Sequence, residues 1–66
     1  MGRVSLKDKV YASVIFGESN ESIAKSLNIT IATVKWYIHQ IFVDNKVNNR
    51  KELMAKVIKE VMRENA

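Results

Sequence analysis

Apolar residues recur along this 66-residue chain at the three- and four-residue spacing of helices, in segments separated by polar breaks. The breaks carry residues that end or begin helices, with Gly17 and Asn28 at ends and Thr30 and Asn49 at starts. A single all-α domain is therefore predicted over residues 1–66. We expect its helices at about residues 6–16, 20–27, 31–44 and 50–63.

The second and third predicted helices form a helix-turn-helix, because a turn of only three or four residues joins them. Ile23, Ala24 and Leu27 share one face of the second helix, and the small Ala24 allows two helices to cross steeply. Apolar residues also follow one face of the third helix, and we expect this stripe to be buried. Its members are Ile31, Val34, Ile38, Ile41 and Phe42.

The opposite face of the third helix carries Lys35, Trp36 and His39. At about 100° per residue, Trp36 lies about 200° from Val34, so the indole is predicted to be exposed rather than part of the core. An exposed indole beside a lysine suits contact with base edges or thymine methyl groups in a DNA major groove, and a protein partner is the alternative. For His39 the alternative is a solvated surface residue.

The charge balance favours a polyanionic partner, since 11 Lys and Arg residues against 7 Asp and Glu give a net charge of +4. With no cysteine and one histidine, the chain offers neither a disulfide framework nor a zinc site, and no cofactor is expected. Acids, bases and nucleophiles do not cluster as an enzyme needs. No segment approaches a membrane span. We therefore expect a cytoplasmic protein that is not an enzyme.

The predicted fourth helix has an apolar stripe wider than one side of so small a core requires. Its start is marked by Asn49, whose side chain can cap the helix while Glu52 reaches back in a capping box. The stripe either packs entirely onto the first helix or leaves one flank for a second copy of the protein. The second interpretation predicts a homodimer interface formed by Met54, Ile58, Val61 and Met62.

The residues from Gly17 to Arg50 resemble the LuxR/GerE family of bacterial transcription regulators, whose DNA-binding domain has four helices. The resemblance implies a three-helix core whose third helix enters the major groove and a fourth helix that forms a dimer. The matching residues keep their order and spacing without a gap. They are Gly17-x-Ser19-Asn20, Ile23-Ala24-x-x-Leu27-x-Ile29, Thr33-Val34-Lys35, Ile41 and Val47-x-Asn49-Arg50.

The resemblance also implies roles for individual residues in binding double-stranded DNA. The base-contacting positions are Lys35, Trp36 and His39. Positions close to backbone phosphates are Asn20, Thr30, Thr33 and Tyr37. Salt-dependent attraction to phosphates is expected in addition from Lys46 and Arg50. We therefore predict a sequence-specific transcription regulator of the bacterial nucleoid.

The chain departs from the family pattern at two places in the third helix. Tyr37 replaces the usual histidine but keeps a group that can donate to phosphate. Asp44-Asn45-Lys46 stands where the family usually has Lys-Leu-Gly, which puts a negative charge at a phosphate-facing position. One interpretation is that the helix ends a residue early, with Asn45 in the left-handed conformation and Lys46 restoring the lost charge.

Two other functions fit the same pattern. The helix-turn-helix also resembles region 4 of bacterial sigma factors, which predicts a module that reaches promoter DNA through RNA polymerase and binds DNA weakly alone. The departures at Asp44 and Asn45 instead fit an interaction protein that heterodimerises through the fourth helix and disables a longer regulator. That interpretation predicts no sequence preference in the free protein.

Overall fold

The computed structural model describes residues 4–64 and arranges them as α1 (Leu6–Ile15), α2 (Asn20–Leu27), α3 (Ile31–Asn45) and α4 (Arg50–Glu64). No strand occurs in this part of the chain, so the all-α fold class is confirmed. The observed ends of α1, α3 and α4 differ from the predicted ones by one residue each. Residues 1–3 and 65–66 of the predicted domain lie outside the described residues.

Side-chain hydroxyl groups cap the first three helices. Each capping residue has an extended backbone, and its hydroxyl oxygen accepts from the backbone N–H three residues later at 3.1 Å. Each such cap stabilises a helix by about 1 kcal/mol, because it satisfies a donor that has no partner inside the helix. The capping residues are Ser5, Ser19 and Thr30.

An amide and a carboxylate cap α4 together. Asn49 Oδ1 accepts from the Glu52 N–H at 2.9 Å, and the Asn49 side-chain N–H donates back to the Glu52 carboxylate at 3.2 Å. The other carboxylate oxygen of Glu52 accepts from the backbone N–H of Asn48, also at 3.2 Å. Glu52 thus reaches one residue further back than the predicted capping box requires.

Three helices end in the same left-handed turn, at Gly17, Asn28 and Lys46. After α3, the Lys46 N–H donates to the Val43 carbonyl at 3.1 Å, and the next N–H donates to the Phe42 carbonyl at 3.0 Å, which is a Schellman motif. The prediction that Asn45 takes the left-handed conformation is wrong. Asn45 remains helical because its side-chain N–H donates to the Ile41 carbonyl at 2.8 Å, and Lys46 takes φ 57° instead.

The buried core draws on all four helices. It comprises Val10, Val14, Ile23, Ala24, Val34, Ile38, Ile41 and Leu53. Full burial of side chains of this size stabilises the fold by roughly 1.5–3 kcal/mol each. The prediction that Ile31 is buried is wrong: this side chain is 39% exposed, since it lies on the first turn of α3, one turn before the first buried residue of the helix. Phe42 is half-buried beside the core.

Two side chains attach the start of α4 to the rest of the molecule. The Arg50 guanidinium donates to the Glu18 carbonyl at 2.8 Å and to Asn20 Oδ1. One turn and a half later, Lys56 Nζ donates to the Asn45 carbonyl at 2.8 Å. These bonds fix α4 against the beginning of α2 and the end of α3. The orientation of α4 relative to α3 therefore rests on polar contacts as well as on Leu53.

Candidate nucleic-acid interface

The outward face of α3 is open to solvent along its length. Lys35, Trp36 and His39 are all exposed, and the indole keeps 59% of its surface accessible. The buried residues Val34 and Ile38 fix the rotation of the helix, and this rotation turns the three side chains outward. The predicted exposure of Trp36 is therefore confirmed. That these three residues contact bases remains a prediction.

The indole of Trp36 rests against a neighbouring ring. Its centroid lies 5.2 Å from that of Tyr37, with an interplanar angle of 77°, which is a favourable edge-to-face arrangement. Tyr37 is half-buried and packs against the core. The tyrosine thus restrains an aromatic side chain that would otherwise move freely in solvent. The phosphate contact predicted for Tyr37 is a separate role, which this packing leaves as a prediction.

Thr30 and Thr33 form a pair of hydroxyl groups at the start of α3. Their oxygen atoms lie 2.9 Å apart, and Thr30 Oγ1 also accepts from the Thr33 backbone N–H at 3.1 Å. Two hydroxyl groups carry two hydrogens, and their mutual hydrogen bond uses one of them. The other O–H remains able to donate to a phosphate oxygen, as the predicted role of these residues requires.

Arg50 and Asn20, both predicted near phosphates, contact each other. Arg50 is partly buried, and its two terminal nitrogen atoms donate to Glu18 and Asn20. These bonds occupy part of the guanidinium fork and one acceptor site of the Asn20 amide oxygen. The structure therefore gives Arg50 a role in positioning α4. Its attraction to phosphate remains a prediction.

An open cleft of about 360 Å³ lies between the middle of α3 and the start of α4. Among residues 4–64 no carboxylate lines it, although the Glu52 carboxylate accepts from the Asn48 N–H and the Asn49 side-chain amide at its edge. Basic side chains come from Lys35, His39 and Arg50, and apolar ones come from Ile38 and Phe42. The amides are those of Asn20, Asn48 and Asn49.

The flank of α3 that faces α1 has the opposite character. Asp44 forms an ion pair with Lys7 of α1 there, and the two side chains are 52% and 41% exposed respectively. Asp8 lines the same depression. The acidic residue at the predicted phosphate-facing position is therefore neutralised by a cation from another helix.

The outward face of α4 exposes a row of apolar side chains. Met54 keeps 38% of its surface exposed, and the exposed fractions rise to 55%, 51% and 67% at Ile58, Val61 and Met62. The interpretation that the whole stripe packs onto α1 is therefore wrong for this flank. Leu53, which is fully buried, makes the contact with the core instead, and Val57 is half-buried. A homodimer through the exposed flank remains a prediction.

Three features of this surface were not predicted from the sequence. Lys7 and Asp44 are 37 positions apart, and Arg50 is 32 positions from the Glu18 carbonyl that it contacts. A single sequence carries no periodic signal for pairs so far apart. Asn48 was missed as a lining residue because its amide reads simply as turn chemistry.

The fold and this surface define a helix-turn-helix domain, in which α2 supports an exposed α3. The sequence pattern of the family described as bacterial regulatory proteins, luxR family, matches residues 9–57. The chain therefore belongs to that family, whose members are DNA-binding regulators, and the resemblance inferred from the motifs is confirmed. This family is not one of enzymes. Among residues 4–64, no group of His, Asp and Glu residues forms a candidate metal site.

One curated relative is a monoamine regulon transcriptional regulator from Klebsiella aerogenes. It is 42% identical over 40 residues, which cover 61% of this chain and 18% of the relative. The chain thus spans under a fifth of the length of the curated relative that it matches. No solved structure matches the chain. Within residues 4–64, no helix combines the length and the apolar character that crossing a membrane requires.

Proposed function

We propose that this chain reads a specific double-stranded DNA sequence by placing α3 in the major groove, as a homodimer joined through α4, in the bacterial nucleoid. The observation that carries the proposal is the exposed face of α3, where Lys35, Trp36 and His39 project beside one another. An α-helix with its side chains is 10–12 Å across, and a B-DNA major groove is about 12 Å wide. The helix therefore fits the groove.

The chemistry of each side chain supports a distinct contact. Lys35 donates to guanine O6 or N7, and Trp36 provides apolar contact with the thymine methyl group. His39 donates to a base or to a phosphate. Hydroxyl groups of Thr33 and Tyr37 can donate to phosphates of the DNA backbone, while Lys46 adds a cation at the end of α3.

The exposed flank of α4 supports a two-fold dimer. Met54, Ile58 and Val61 follow one another at steps of four and three residues, the spacing of a two-helix seam. Exposed apolar side chains in one row mark an interaction surface. A second copy is the occupant we favour, because helix-turn-helix domains that pair through a two-fold axis read two half-sites at a fixed spacing.

Selection from a pool of random duplex DNA at moderate salt tests sequence reading. We expect a motif with two-fold symmetry. Lys35→Ala should then lose about 1–3 kcal/mol of discrimination at one base pair. Lys25→Ala, which removes an equal charge from an exposed position on α2, is the matched control and should leave that discrimination intact. Unchanged binding of Lys35→Ala to both selected and random duplexes would overturn the assignment of α3.

Sedimentation equilibrium tests the dimer. Ile58→Glu places a carboxylate in the middle of the apolar row, and we expect it to sediment as a monomer while the wild-type chain sediments as a dimer. Ala12→Glu, on an exposed position of α1, is the control for the added charge. A folded wild-type protein that yields no DNA motif and stays monomeric would favour a polymerase-associated module or a protein that heterodimerises with a longer regulator.

A further inference from the structure

The two long flanks of α3 differ in their electrostatic character, and this asymmetry has a consequence for how DNA lies on the protein. The flank that faces α4 opens into the cleft of about 360 Å³ described above, where Lys35, His39 and Arg50 outnumber the one carboxylate, Glu52, that reaches its edge. The flank that faces α1 carries Asp44 and Asp8 together with Lys7. A polyanion is attracted to the first flank and gains little from the second.

We infer that the cleft between α3 and α4 seats one backbone phosphate of the DNA, held by His39 and by the side-chain amide of Asn48. This inference rests on the proposed docking of α3. A helix that fills the major groove brings each of its flanks against one strand of the duplex. The strand on the α4 side must therefore pass over the mouth of the cleft.

The donors around the cleft fit a phosphate rather than a base edge. His39 and Asn48 are exposed at its rim and come from different elements, so they can approach one phosphate group from two sides. Amide and imidazole N–H groups are ordinary phosphate donors in protein–DNA interfaces. Lys35 also lines the cleft, one helical turn before His39, and from there it remains free to reach a base.

Arg50 acts here as a positioning residue. Its guanidinium donates to the Glu18 carbonyl at 2.8 Å and to Asn20 Oδ1, and both bonds hold the start of α4 against α2. Because Asn48 precedes that start by two residues, we expect these bonds to restrain where Asn48 lies relative to α3. Asn48 thus joins the DNA-contacting residues, and His39 moves from base contact to phosphate contact.

Neutral methylphosphonate substitution tests the seat on the duplex recovered by selection. Each phosphate is replaced in turn. The affinity of the wild-type protein for the duplex is expected to fall about tenfold at one position per half-site, which is the effect of losing one charge-assisted hydrogen bond. In Asn48→Ala and in His39→Ala the loss at that position should shrink to under about twofold. Thr33→Val, on the other flank, should retain the full loss. If no phosphate shows this coupling, or if base substitutions show it instead, the inference is wrong.

A second measurement uses random-sequence duplex and needs no known target. Asn48→Asp introduces a carboxylate into the cleft, and its negative charge should cancel the neutralisation of about one phosphate. We therefore expect the slope of log affinity against log salt to become less steep by about 0.9. Ala12→Glu makes the same change of net charge on α1 and should leave the slope nearly unchanged. Equal effects of the two variants would show that the change reflects the net charge of the protein rather than a phosphate in the cleft, and would overturn the inference.

Free anion must be distinguished from DNA. Saturable NMR shifts of the Asn48 side-chain amide on titration with inorganic phosphate alone, at constant ionic strength, would assign the cleft to a small anion and overturn the DNA assignment. Absence of such shifts, together with shifts on adding duplex, supports it. A wild-type protein that binds no duplex at all would instead refute the proposed function, which keeps the two failures separate.

Discussion

Lys46 combines a strained backbone with a predicted DNA contact, and the two roles can be separated by mutation. The residue has φ 57° and ψ 42°, in the left-handed region that side chains with a Cβ atom disfavour. Holding an L-residue there costs roughly 1–2 kcal/mol, which glycine avoids. Glycine also makes the unfolded chain more flexible, at a cost of about 0.4–1 kcal/mol. We therefore expect Lys46→Gly to stabilise the protein by about 0.5–1 kcal/mol.

Thermal unfolding followed by circular dichroism measures this gain. For a chain of this size, 0.5–1 kcal/mol corresponds to a rise in Tm of about 3–6 °C. Lys46→Ala is the matched control, because it removes the same charge but keeps a Cβ atom at the left-handed position. The alanine variant should show no gain. If glycine and alanine raise Tm equally, relief of charge repulsion rather than backbone strain is responsible, and the reasoning fails.

The DNA affinity of both variants should fall, although only the glycine variant is expected to gain stability. If Lys46 neutralises one phosphate, both Lys46→Gly and Lys46→Ala make the slope of log affinity against log salt less steep by about 0.9. Fluorescence anisotropy with a labelled random-sequence duplex provides the measurement. A glycine variant that is more stable and binds DNA more weakly would show that the chain retains the lysine for function at the expense of stability. An unchanged slope in both variants would remove Lys46 from the phosphate contacts.

Three further predictions follow from the contacts described. Arg50→Lys cannot span both the Glu18 carbonyl and Asn20, so urea unfolding should show a loss of about 1–3 kcal/mol, and an unchanged midpoint would contradict the positioning role. Lys7→Gln leaves Asp44 uncompensated and should weaken binding to any duplex about twofold at low salt, whereas the double variant with Asp44→Asn should return to wild-type affinity. Burial, together with the nearby Glu60, raises the pKa of Tyr11 above its ordinary value of 10.0. The unfolded state therefore releases this proton at a lower pH than the folded state, and the free energy of unfolding falls as pH rises beyond 10.0. In urea unfolding over this pH range, the fall should be shallower for Tyr11→Phe.

The elements that could be predicted from the sequence depend on local chemistry. Thr30 caps α3, and Asn28 takes the left-handed conformation, because each requires only its immediate neighbours. The outward direction of Trp36 followed from helical periodicity alone. Such features are determined within four or five residues of chain, which is the range over which a sequence pattern is informative.

The features that escaped prediction depend on tertiary contacts. Asn45 was expected to end α3 because asparagine tolerates the left-handed conformation, but its side chain bonds to the preceding turn and Lys56 binds its carbonyl. Asp44 looked like an obstacle to DNA binding until Lys7 was found beside it. Asp44 is compensated by a partner from another helix, whereas Asn45 is held by a bond within α3 as well as by Lys56 of α4.

The charge distribution links the proposed DNA binding to the proposed dimer. Along α3 there is one lysine, Lys35, and one aspartate, so the helix proposed to enter the groove is formally neutral when His39 is neutral. The net charge of +4 must therefore come from cations outside α3, and Lys7 adds nothing to it because Asp44 cancels its charge. Each copy can therefore neutralise only a few phosphates, and each phosphate adds about 0.9 to the salt slope. A second copy doubles the number of neutralised phosphates, and binding to the second half-site then becomes an intramolecular step. Under the proposed function, the exposed flank of α4 and the sparse cations of α3 act together, so that a domain expected to bind DNA weakly alone gains its affinity as a pair.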